Sequence, residues 1–96
     1  MADSIQQIKF AFASYVKEFG ADFREWSVGT ADDACRALFE DNSVNETSDP
    51  WLWKPALSPA AAGMIQAFLE RHGAAPARTP APGPEVFLFR RIREET

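Results

Sequence analysis

The chain predicts an α/β (α+β) domain in which a small, mostly antiparallel three-stranded sheet is flanked by helices. Three observations lead there. Apolar residues recur at spacings of three and four over residues 4–19 and 61–72, the period of a helix. They alternate at period two over residues 23–28, the period of a strand. From Val86 to Phe89 they run without interruption, as in a strand covered on both sides. Ninety-six residues provide apolar surface for one core, so residues 1–96 form a single domain.

Taken in order, Ser4 is the N-cap of a first helix over residues 4–19. Ile5, Ile8, Phe12, Val16 and Phe19 make its apolar stripe, and Gly20 ends it. Alternation from Phe23 to Val28 places Arg24, Trp26 and Val28 on one face of a half-buried strand, with Phe23, Glu25 and Ser27 on the other. Gly29 is the expected turn, because it lacks the Cβ that resists one. Thr30 is the expected cap of a second helix, with Asp32 and Asp33 in a first turn whose dipole favours carboxylates. Ala31, Ala34, Cys35, Leu38 and Phe39 form its buried side, which makes Cys35 a small core residue. Arg36 lies off that stripe and faces solvent, four residues after Asp32, the spacing of a helical ion pair.

Residues 40–50 are rich in Asn, Ser and Asp and form a loop. Trp51-Leu52-Trp53 is a short extended run that Pro55 ends, and its two tryptophans close one edge of the core. Ser58-Pro59 starts a third helix, since a proline at the first helical position gives up no hydrogen bond. Ala61, Ala62, Ile65, Phe68, Leu69 and His72 share a face, and Gly73 stops the helix. Residues 74–84 hold four of the seven prolines and are expected to form a mobile loop with neither helix nor sheet. Residues 85–92 supply the closing strand, inside the sheet.

Composition excludes several classes. One cysteine and one histidine are too few for a Cys/His zinc cluster or a Cys–His catalytic pair. No basic, apolar leader opens the chain and no stretch is long enough to span a bilayer, so no membrane association is expected and the expected location is the cytoplasm. A net charge of −4 disfavours non-specific binding to phosphate backbones. The acids gather at Asp32, Asp33, Glu40, Asp41, Glu46 and Asp49, while Arg90, Arg91 and Arg93 crowd the last strand.

The run SVGTADDACRALF, residues 27–39, resembles the YVG-I-T-x-D-x-x-x-R-x-L-F pattern of GIY-YIG nuclease-type domains, in particular their small phage-like and bacterial members. Similarity continues through Val44, the tryptophans before the third helix, the alanines within it, the glycine at its end and the closing aromatic strand. It covers residues 23–92 and leaves the first helix outside. The resemblance implies a site in which a tyrosine, an arginine, a histidine and a metal-binding glutamate surround a scissile phosphate. Matched from both ends of the run, which is one residue shorter than the pattern, the tyrosine falls on Ser27 and the arginine on Arg36, and further along the histidine falls on Asn42 and the glutamate on Gln66. Only the arginine is kept, and a neutral amide is a poor ligand for Mg²⁺. Glu70, one turn beyond Gln66, is the possible substitute.

What the resemblance implies is a non-catalytic GIY-YIG-like binding module, associated with a phage or mobile element. It would engage a protein or nucleic-acid partner through the remnant site or through Trp51 and Trp53, with Arg36 contributing and with no cofactor or metal. Two alternatives stand beside it. One is a Mg²⁺-dependent endonuclease using Arg36 and Glu70. The other is a small acidic inhibitor of a nucleic-acid-processing complex, presenting Asp32, Asp33, Glu40 and Asp41. A remnant site further requires Ser27, Arg36 and Gln66 to converge on one depression.

Overall fold

The computed structural model describes residues 4–19, 22–42, 44–47, 49–77 and 83–90. Helix α1 (Ile5–Glu18) begins with a reciprocal cap: Gln7 N–H donates to Ser4 Oγ (3.2 Å) and Ser4 N–H donates to Gln7 Oε1 (2.9 Å). Ile8, Phe12 and Val16 are buried, while Ile5 is partly buried and Phe19 stays 37% exposed. Gly20, the expected stop, lies outside the described residues.

Strand β1 spans Trp26–Ala31, later than the alternation predicts. Phe23–Glu25 form instead a 3₁₀ turn, because Asp22 accepts the Arg24 N–H (3.0 Å) and turns the chain before the strand begins. Every residue of β1 is buried, so it is covered on both faces rather than one. Gly29 is not a turn but a mid-strand residue, and the reason for a glycine there is space. A Cβ would stand 2.6 Å from Phe87 Cζ and 2.9 Å from Ala77 Cβ. Thr30 likewise belongs to the strand, and Asp33 caps the second helix by accepting the Arg36 N–H (3.1 Å).

That helix, α2, is short: Ala34–Arg36 are α-helical and Ala37–Asp41 continue as a π-helical turn. The wider turn carries Ala37 and Leu38 into the core with Ala34 and leaves Phe39 partly buried. Cys35, expected in the core, is exposed. The helical stripe assigned to it fails because the helix starts three residues later than expected and widens after its first turn.

Strand β2 (Trp51–Pro55) precedes α3 (Pro59–Arg71), which Ser58 caps by accepting the Ala61 N–H (3.1 Å). Gly73 ends that region with φ +120°, a backbone state that side chains disfavour. Strands β3 (Ala75–Pro76) and β4 (Glu85–Arg90) complete a four-stranded sheet in the order β2-β4-β1-β3. β4 lies inside the sheet, antiparallel to both β2 and β1, as its unbroken apolar run requires. Residues 91–92 of the expected strand, with Arg91 and Arg93, lie outside the described residues.

The three-stranded, mostly antiparallel sheet is therefore corrected to a four-stranded mixed one. The added strand comes from the proline-rich stretch, pairing parallel to β1 with Ser27 opposite Ala75 and Val28 opposite Pro76. Ala77 N–H closes the ladder on Val28 O (2.9 Å). Proline is tolerated because β3 is an edge, where a missing N–H costs no ladder bond. Ala74 and Ala77 are buried, so the start of this segment is packed rather than loose, and residues 78–82 lie outside the described set.

Three layers result. α1 and α3 cover the face carrying Trp26, Val28, Val86 and Leu88. α2 covers the opposite face, carrying Ala31, Phe87 and Phe89. Among the described residues no helix is long and apolar enough to cross a membrane.

Candidate functional site

Strand alternation decides where the four positions matched to the nuclease pattern fall. Trp26 and Val28 point to the α1/α3 layer, so Ser27 points to the α2 layer, paired across from Phe89 and only 3% exposed. Arg36 is exposed on α2, in that same layer. Asn42 follows the π turn and holds it closed, with its backbone N–H and its Nδ2 both donating to Ala37 O (3.0 and 2.8 Å). Gln66 sits in the other layer. It belongs to α3, whose Ile65 and Leu69 pack on Trp26 and Val28, and its Nε2 donates to Glu70 Oε2 (2.9 Å).

The sheet thus separates Gln66 and Glu70 from Ser27 and Arg36. The expected convergence of Ser27, Arg36 and Gln66 is not formed, because the helix carrying the amide packs on the strand face opposite the serine. Nor does Glu70 meet Arg36. The expected Asp32–Arg36 ion pair is also missing among the described residues, since Asp32 precedes the Asp33 cap and stands outside the helix. In its place a longer-range contact anchors α2: Glu85 of β4 accepts the Ala34 N–H through Oε1 (2.7 Å). Carboxylates at this end of a helix meet unpaired N–H groups and the positive end of the dipole.

What the structure does bring together is aromatic. Trp51 and Trp53 stand on β2, the edge strand, half-buried on the α2 face. Phe39 meets Trp51 edge-to-face with ring centroids 5.0 Å apart, and Trp51 Nε1 donates to Glu46 O (3.0 Å). Phe87 and Phe89 stack beneath, 6.3 Å between centroids. Trp51 and Trp53 were legible in the sequence as an edge; the partnership with Phe39 and Glu46 was not, since it depends on the π turn and on the fold of the loop after it.

The outer rim of β2 is guarded. Arg90 N–H donates to Pro50 O (3.1 Å) and Ala56 N–H donates to Pro84 O (2.7 Å), so the backbone groups of the even residues face β4 and those of Trp51, Trp53 and Pro55 face the open edge. Trp51 N–H donates to Tyr15 Oη (3.0 Å), and Pro55 has no N–H to offer. Burial raises the Tyr15 pKa above the usual phenol value, against the lowering effect of that hydrogen bond. Strand addition at this edge is therefore hindered at both ends, a device that limits edge-to-edge aggregation.

His72 follows α3, exposed, with its ring 4.6 Å from Phe68 and 5.5 Å from Phe23 between centroids. Comparison with protein-family models, with curated proteins and with solved structures gives no match.

Proposed function

We propose that this chain is a non-catalytic binding module that engages a protein partner through the aromatic face at Trp51 and Trp53. The observation that carries the reading is the partly buried tryptophan pair on an edge strand, backed by the sheet and flanked by Phe39. Tryptophans so placed offer large contact area at little cost in side-chain entropy and are enriched in binding hot spots. The GIY-YIG-like ancestry and the phage or mobile-element setting rest on the residue 27–39 resemblance. A remnant nuclease site requires Ser27, Arg36 and Gln66 to converge, and they lie in different layers, so the binding reading takes no support from that site and rests on the tryptophan face alone. The test is capture of partners from a native host by the folded chain, against Trp51→Ala and Trp53→Ala. Loss of a specific partner in the folded variants is expected. The endonuclease reading, with Arg36 and Glu70 as its groups, would instead be established by divalent-metal-dependent DNA cleavage that Arg36→Ala abolishes.

A further inference from the structure

The charge of this chain is concentrated where the tryptophans are. Residues 32–49 carry the six acids Asp32, Asp33, Glu40, Asp41, Glu46 and Asp49 against the single base Arg36, a net of −5 in a chain whose total is −4. Everything outside that segment therefore sums to +1. Two contacts lay the segment beside β2: Phe39, next to Glu40, packs on Trp51, and the Glu46 carbonyl accepts the Trp51 indole N–H. Glu40 and Glu46 are exposed. Among the described residues their carboxylates, like that of Asp32, accept no hydrogen bond and form no ion pair. By contrast Asp33, Asp49 and Glu85 are occupied with backbone N–H groups.

We propose that the partner taken by this face is a basic protein segment, whose arginine or lysine side chains lie against the rings of Trp51 and Trp53 with Glu40 and Glu46 facing them. The inference rests on the binding-module reading and adds the chemistry of the partner. Three physical arguments converge on it. Indole faces attract cations, guanidinium most often, and more strongly once water is displaced. Unpaired carboxylates around a half-apolar face steer a positive partner and repel a negative one. A nucleic acid brought to the same face would set its phosphates against the most acidic part of the chain. The guarded rim at Tyr15 and Pro55 further implies that the partner lies across the face of the sheet rather than extending it.

The test uses the full chain, labelled with ¹⁵N, titrated with an oligoarginine peptide, a neutral Gly/Ser peptide, an oligoglutamate peptide and a single-stranded oligonucleotide. Expected are shifts for oligoarginine that centre on the Trp51 and Trp53 indoles, Phe39 and the described part of residues 40–47, sparing the buried Trp26 indole. Affinity should fall roughly tenfold or more between about 50 and about 300 mM salt. Glu40→Gln with Glu46→Gln, exposed and nearly isosteric, should weaken binding by about threefold to tenfold while leaving the melting temperature in place. Equal shifts from the neutral or acidic peptide would overturn the basic partner and leave the tryptophan face as a binding site. Oligonucleotide binding there would overturn it in favour of nucleic acid. If no probe moves the two indoles, the proposal fails, and if partner capture also survives the folded Trp51→Ala and Trp53→Ala variants, the binding-module reading fails with it.

Discussion

The two faces of the sheet are built differently. On one, α1 and α3 together bury Trp26, Val28, Val86 and Leu88 completely, and Trp26 is fixed by edge contacts with Tyr15 (5.6 Å) and Phe19 (5.7 Å). On the other, a single short helix with a π turn covers Phe87 and Phe89 but leaves Trp51 and Trp53 only partly buried. The first face spends its apolar surface on folding. The second leaves Trp51 and Trp53 partly exposed, and Glu40, whose carboxylate is unpaired among the described residues, follows Phe39 there. On the proposed reading stability and recognition divide between the layers, and substitutions should separate them.

The largest effect is expected on the fully buried face. Trp26→Ala or Leu69→Ala should cost about 3–5 kcal/mol, enough to unfold much of the protein near physiological temperature, whereas Trp53→Ala should cost about half as much. Urea unfolding of the variants side by side checks this. Equal losses would mean that the second face is as much a core as the first.

Adding volume sharpens the comparison from the other direction. Ser27→Tyr places a ring where the side chain is 3% exposed, and Gly29→Ala places a methyl group 2.6 Å from Phe87 Cζ. Overpacking of this kind costs about 1–3 kcal/mol, with the tyrosine at the upper end. Ser27→Tyr combined with Gln66→Glu should create no metal site, since the sheet stands between the two positions. Calorimetry with Mn²⁺ would reveal one if the layers were arranged otherwise.

A smaller loss is expected at the guarded edge. Tyr15→Phe removes the acceptor of the Trp51 N–H and should cost about 1 kcal/mol. Because the folded Tyr15 pKa is raised, its contribution is complete below the phenol's unfolded value and declines as pH rises through the folded one. The wild type should therefore lose stability at the alkaline end in excess of Tyr15→Phe.

The smallest effect concerns Asp22, outside both faces. Its carboxylate accepts from the Arg24 side chain (3.1 Å to Oδ1) and from the Arg24 backbone N–H, and these bonds lower its pKa. A depressed carboxylate stabilises the fold above its unfolded pKa, and the contribution is lost as pH falls through the folded value. Asp22→Asn should flatten the acid limb of the stability profile slightly and leave neutral binding at Trp51 and Trp53 unchanged. A change in binding would connect the turn to the site.

Local chemistry in the sequence determined a good deal about this protein. Ser4 and Ser58 are caps because a hydroxyl can accept an orphan N–H whatever surrounds it, and the spacings of Ile8, Phe12 and Val16, and of Ala61, Ile65 and Leu69, identify buried helix faces by period alone. The run Val86 to Phe89 marked β4 as interior because consecutive apolar residues supply both faces of a strand with side chains to bury. Tertiary structure decided the rest. Gly29 looks like a turn until Phe87, nearly sixty residues away, is seen to occupy the space of its missing Cβ. Ala75 and Pro76 look like loop until β1 offers them a parallel edge, and Cys35 looks buried until Asp33 and Glu85 fix where α2 begins. The candidate site divides the same way. The tryptophan edge was legible because it lies within one short run, while the placing of Ser27 and Arg36 in one layer and Gln66 in the other depended on which sheet face each helix covers. That choice is made by long-range packing, which no local period records.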